Sequence, residues 1–179
     1  MAILKIARLG NPVLLRPAGA IADPGDPEVR RLARDMVETM LDAPGVGLAA
    51  PQVHASLRLI VFHIPPARIE AEGEQPSEGI TVLLNPTIEP VGDERVTGWE
   101  GCLSIPDLRG AVPRFRTIRY RGVDLEGQAI DRTVAGFHAR VVQHEVDHLD
   151  GILYLARMTD LSLLAYNDEW GRYMSEQQP

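Results

Sequence analysis

Residues 143–151 read QHEVDHLDG and hold two of the chain's five histidines, His144 and His148, with Glu145 between them. An α-helix turns once in about 3.6 residues, so imidazoles four apart face the same way. The pattern His-Glu-x-x-His at that spacing suits a metal held by both rings. The glutamate, turned by about 100° from its neighbour, is placed to act as a base without being forced to bind. Phe137 and Val141 precede His144 at steps that keep them on the same face, so apolar side chains lead up to the imidazoles. They are candidate walls of an apolar substrate pocket, and equally candidates for ordinary core packing.

Two imidazoles do not complete a centre. A catalytic zinc-type site uses three protein ligands and keeps one position open. The candidates for a third ligand are Cys102, Glu100, Asp147, Asp150 and the other histidines. Asp147, three residues after His144, could instead support a ligand from behind. His54, His63 and His138 have no paired spacing and read as structural or surface histidines. Cys102, the chain's one cysteine, follows Gly101, which permits close backbone approach. A lone cysteine is more often a small buried apolar residue than a ligand, and spacing alone leaves the choice open.

Asp26-Pro27 reads as a helix cap followed by proline in the first turn. Val29, Leu32, Ala33, Met36, Val37, Met40 and Leu41 then recur at helical spacing, predicting an amphipathic helix that ends near Asp42, before Pro44. The glycines of GVGLAAPQ (45–52) suit a loop or irregular strand. LRLIVFHI (57–64) and ITVLL (80–84) predict strands, separated by a polar exposed loop over 65–79. Segments 116–125 and 128–134 flank Glu126-Gly127 as a hairpin. The motif helix is expected from near Ala135 to about Leu149, with Gly151 helping to stop it. Short strands with a helix near each end predict an α+β fold.

At 179 residues, with no repeat or composition shift, the chain reads as a single domain spanning 1–179. A net charge of −7 argues against general nucleic-acid binding, which usually needs a basic face. One cysteine rules out an intramolecular disulfide. Lys5, Arg8 and Pro12 interrupt the N-terminus before a signal-type apolar run develops. The longest uncharged stretch, 43–57, is broken by Pro and Gly and does not read as a membrane span. The expectation is a cytoplasmic protein with no membrane partner; the oligomeric state is left open.

Three segments together resemble peptide deformylase: GVGLAAPQ at 45–52, EGCLS at 100–104 and QHEVDH at 143–148, in the family's order. The likeness continues through IPDLRGAVPR (105–114) and covers most of residues 3–158. It implies an enzyme that removes the formyl group from the N-terminal formyl-methionine of new proteins, on an α+β fold with antiparallel sheets around the motif helix. Carried over, the metal ligands are Cys102, His144 and His148. Glu145 is the general base and acid, and Gln52 with the backbone N–H of Leu103 holds the developing oxyanion. Val46 and Gly47 are the segment expected to hydrogen-bond an extended peptide, and Arg109 borders the pocket. The resemblance implies one ferrous ion, with zinc, nickel or cobalt as substitutes, and a transient ribosome contact. The tail after Gly151 lacks the long basic helix of some bacterial members and is closer to the short tails of mitochondrial-like ones. Two rival readings stand beside it. A metallopeptidase would usually draw its third ligand from a downstream His or Glu, yet no histidine follows His148. A non-catalytic metal-binding or ribosome-associated relative would not need Glu145 or Gln52.

Overall fold

The computed structural model describes residues 2–69 and 79–175. Helix α1 (Pro27–Asp42) starts where the sequence places it, the Asp26 carboxylate accepting from the Glu28 N–H at 2.8 Å. Strands β1 (Gly47–Ala49), β2 (Leu59–Phe62), β3 (Thr81–Pro90), β6 (Thr117–Val123) and β7 (Ala129–Ala135) form one antiparallel sheet, in the order β1-β2-β3-β6-β7. Strands β4 (Arg95–Cys102), β5 (Ile105–Phe115) and β8 (Leu164–Tyr166) form a second, in the order β4-β5-β8. Helix α2 (Gly136–Leu149) carries the His-Glu-x-x-His motif, and a short helix α3 (Asn167–Tyr173) follows β8. The architecture is α+β.

Strand β2 explains its own unbroken apolar run. Leu59 and Val61 pack with Val29, Ala33, Met36 and Met40 of α1, while Ile60 and Phe62 pack with Ala139, Val142 and Val146 of α2. A strand covered on both faces needs apolar residues at every position, not at alternate ones. At about 1.5–3 kcal/mol for each large apolar side chain fully buried, this central strand anchors both helices. A third cluster, with Leu14, Ile105, Val112 and Tyr154, underlies the smaller sheet.

Some boundaries differ from the sequence expectation. The 80–84 strand runs on to Pro90, crossing Asn85 (φ 50) and Pro86 by a register shift between Leu84 and Thr87. Pro86 lacks an N–H, so pattern reading stops there, but the Asn85 side chain ties the bulge to both backbone groups of Ile21 at 2.9 Å. The sequence pattern does not predict strands β4 and β5, because Gly98, Gly101, Pro106, Gly110 and Pro113 obscure their alternation. The hairpin turn is wider than two residues, running Asp124 to Gly127 with the Asp124 carboxylate accepting from the Glu126 and Gln128 N–H groups. Of the expected 65–79 loop, Pro66–Arg68 form a 3-10 turn, and 70–78 lie outside the described residues.

Eleven of the 14 residues of α2 are buried, including Gln143, His144, Glu145, Asp147 and His148. Polar groups in such a place need internal partners. Gln143 finds them at the end of β5, accepting from the Phe115 N–H at 3.1 Å and donating to its carbonyl at 2.9 Å. Beyond the helix, Gly151 takes φ +75, and a Cβ there would lie 2.8 Å from Arg16 N. Gly151→Ala is therefore expected to destabilise the protein by at least about 1–2 kcal/mol, the cost of a left-handed L-residue before any collision is counted. Urea unfolding reads this directly, and an unchanged midpoint would show that the turn relaxes freely.

Candidate active site

A cleft of about 560 Å³ opens beside α2, bounded by β1 and by the chain from β4 into β5. Val46, Gly47, Gln52, Cys102, Leu103, Arg109, Phe137, Val141, His144 and Glu145 all line it. His148, the remaining residue expected there, is buried at its back with Nε2 3.3 Å from the Cys102 Sγ. Cys102 ends β4, where the pairing slips before Ile105, and Leu103-Ser104 turn the chain into β5. Gln52 sits in the 3-10 turn after β1. Its Oε1 accepts from the Ala49 N–H at 2.8 Å, which aims its Nε2 at Ser104 Oγ (3.1 Å) and toward Cys102 Sγ (3.6 Å).

Strand β1 is the edge of its sheet, and antiparallel pairing alternates which residues turn toward the partner strand. The His63 N–H donates to the Val46 carbonyl at 2.9 Å, so Val46 pairs inward. Ala49 donates away from β2 to Gln52, and Gly47, in phase with Ala49, turns its N–H and carbonyl to the open edge. Gly47 is also a close-approach position. A Cβ there would collide with the Glu145 carboxylate, 2.7 Å from its Cδ.

One ligand atom from each of Cys102, His144 and His148 lies within 4.8 Å of the others. His144 Nδ1 is taken by Glu100 at 2.8 Å, leaving Nε2 for the site. Burial alone would lower the His144 pKa, but hydrogen bonds to Cys102 and Glu100 outweigh it and hold the ring well above its ordinary value. Burial, then the charges of His144 and Arg114, push His148 well below, keeping its lone pair available. A divalent ion that binds a thiol and two imidazoles displaces the protons they carry. One thiolate and two imidazoles form a donor set that fits zinc or ferrous iron. Glu145 is buried beside this trio, and desolvation pushes its carboxyl up to about 7. Its Oε2 has no protein hydrogen-bond partner.

The rival ligands are engaged elsewhere. Glu100 meets Arg114 through two hydrogen bonds (2.9 and 3.0 Å), and Arg140 adds a third at 2.8 Å. Arg114 also reaches Asp147 at 2.5 Å, which Arg157 holds from the far side at 2.7 Å. Burial opposes ionisation of Glu100, yet the bonds from His144 and Arg114 hold its carboxylate well below the usual range. Asp150 pairs with Arg58 at the surface. His54 is exposed, His63 contacts the Gly45 carbonyl at 3.3 Å, and His138 packs between the Phe62 and Tyr120 rings. Sequence reasoning missed Arg140, although it stands one helical turn before His144, and missed Tyr154, whose ring stacks on His144. Tyr154 and Arg157 carry no spacing signal, because they reach the site only through the fold.

An α+β protein with a cysteine and two histidines converging at a cleft beside a buried carboxyl has the make-up of a metal-dependent hydrolase. Residues 3–163 match the family described as polypeptide deformylase. Peptide deformylase 1 of Bordetella pertussis is 51% identical over 163 residues, covering 91% of this chain and 92% of that protein. Peptide deformylase 1 of Nitrosomonas europaea is 48% identical over 166 residues, 93% of each. Among solved structures, the Met-Ala-Ser-bound class I type b peptide deformylase of Acinetobacter baumannii superposes with TM-score 0.80 at 37% identity, covering 88% of this chain and 99% of that one. The Thermotoga maritima peptide deformylase does so with TM-score 0.80 at 31% identity, covering 89% and 100%. The chain belongs to the polypeptide deformylase family, metal-dependent hydrolases that remove the N-terminal formyl group from newly made peptides.

The buried charge chain makes a stability prediction. Arg114→Leu leaves Glu100 and Asp147 without their shared cation, and removing one partner of a buried pair costs about 3–5 kcal/mol. Denaturant unfolding of metal-loaded protein should show a loss of that order. A loss within the scatter of surface substitutions would mean that Arg140 and Arg157 suffice alone.

Proposed function

We propose that residues 1–179 act as a single catalytic domain in which Cys102, His144 and His148 hold one ferrous ion and Glu145 moves the proton during deformylation. The observation that carries this reading is the convergence of the three ligand atoms beside a buried carboxyl that has no protein hydrogen-bond partner. The ion, when bound, supplies Lewis-acid polarisation and an activated water. Glu145 takes a proton from the attacking water and returns it to the leaving amine, so that formate and a free N-terminus depart. The Gln52 amide and the Leu103 N–H donate to the formyl oxygen as it becomes negative, an interaction that strengthens as charge develops. Preorganisation of Gln52 by Ala49 supports that role, since the amide need not reorient during the reaction.

Phe137 and Val141 form the apolar wall for the methionine side chain, and the outward N–H and carbonyl of Gly47 pair with the peptide backbone as an added strand, whereas the Val46 carbonyl, expected to share that role, is taken by the His63 N–H. Arg109 stands further out along the cleft. Ferrous iron follows from the family resemblance, with zinc, nickel or cobalt as substitutes, since the donor set accepts each. Formyl-methionyl nascent peptides are the substrate, met in the cytoplasm during a transient visit to the ribosome. The acidic chain has no direct nucleic-acid specificity in this reading, and no membrane partner. No helix among the described residues is long and apolar enough to cross a membrane.

Anaerobically prepared, iron-loaded protein is expected to release formate from a formyl-Met peptide, and chelation should abolish this. Absence of formate above background would sink the assignment. Glu145→Gln should retain the metal but lose roughly 10²–10⁴-fold in kcat, the usual worth of a positioned acid–base group. Cys102→Ser should lower metal content and shift the cobalt absorption spectrum. An unaltered spectrum would remove Cys102 from the ligand set.

A further inference from the structure

The family match ends at residue 163, yet the chain beyond it builds part of the cleft. Strand β8 pairs with β5 so that Ala165 lies opposite Arg109. Helix α3 then brings Asn167 to the cleft wall, where its Oδ1 accepts from Arg109 Nε at 2.8 Å. The Arg109 guanidinium lies 3.8 Å from the centre of the Trp170 ring, and that ring meets the ring of Trp99, another cleft residue, at 6.0 Å. Across the same cleft, Arg68 stands 4.8 Å from the centre of the Phe137 ring. Among the described residues neither arginine pairs with a carboxylate, although most other arginines of this acidic chain do. Burial, and then the charge of Arg68, lower the Arg109 pKa, as expected of two cations sharing one opening.

We infer that the C-terminal segment 164–173 is a specificity element, in which Trp170 and Asn167 hold Arg109 as a fixed cation at the cleft mouth. With Arg68, it selects formyl peptides that carry a carboxylate beyond the first residue. The inference rests on the deformylation reading. Arg109 touches the substrate, and Trp170 is a positioning residue that acts through it. The aromatic face removes water from one side of the guanidinium, and Asn167 occupies Nε. The Nη hydrogens remain for a carboxylate, which a planar fork meets in paired geometry.

The test compares formyl-Met-Ala-Glu-amide with formyl-Met-Ala-Gln-amide, and the free-acid form of the Gln peptide separates a side-chain carboxylate from a terminal one. At low salt the Glu peptide should show a kcat/KM about three- to fivefold higher, carried in KM, as expected of one partly exposed ion pair. The advantage should fade near 0.5 M salt. Arg109→Gln should bring the ratio close to one, Trp170→Leu should do the same, and Trp170→Phe, which keeps a ring face, should restore it. A general loss of packing would lower both peptides together and leave the ratio standing. Equal turnover of the Glu and Gln peptides by the unaltered protein overturns the inference, as does a Trp170→Leu variant that keeps the full ratio. If no peptide releases formate, it is the deformylation reading that has failed.

Discussion

The cost of placing charged side chains inside the protein governs the rest of this structure. Helix α2 carries Glu145, Asp147 and the imidazoles of His138, His144 and His148 into the interior, where an unpaired charge costs several kcal/mol. The chain offsets this with a continuous line of partners, from His144 through Glu100 and Arg114 to Asp147 and Arg157. Glu100, Arg114 and Asp147, the buried members of that line, are each held by two partners, and the half-exposed Arg157 closes it at the surface. The same contacts that make burial tolerable also fix the tautomer and orientation of His144, so stabilising the core and preparing the proposed ligand are one act.

Glu145 is the exception. It is the buried carboxyl of α2 that the charged line leaves out, and its surroundings raise its pKa rather than lower it. Asp147, two residues along, is clamped by arginines. The contrast follows from helix geometry, since the two side chains project about 200° apart and meet different neighbours. Asp147 turns to the arginines behind the site, whereas Glu145 turns to the cleft, where the missing side chain of Gly47 leaves room for its carboxylate.

Much of this was legible in the sequence. The cap at Asp26, the amphipathic run to Asp42 and the motif helix ending before Gly151 fall where pattern reading puts them, because helix periodicity and capping are local. The long β4–β5 pair was not legible. Gly98 makes room for the Arg140 guanidinium and Gly110 for Met158 and Tyr154, contacts that exist only once the chain is folded. The continuation of β3 past Pro86 depends in the same way on Asn85 reaching Ile21.

The sequence by itself determined that His144 and His148 share a helix face with Glu145 beside them, since one turn of helix requires nothing more than spacing. It also carried, through its three short motifs, the resemblance that singled out Cys102 and Gln52. Only the tertiary structure decided that Cys102 stands 3.3 Å from His148 while Glu100, Asp147 and Asp150 are taken by arginines. It alone brought Trp170 onto Arg109, more than fifty residues away in the chain. The physical reason is that spacing fixes neighbours within a helix, whereas partners on different strands are chosen by burial and charge pairing across the whole fold.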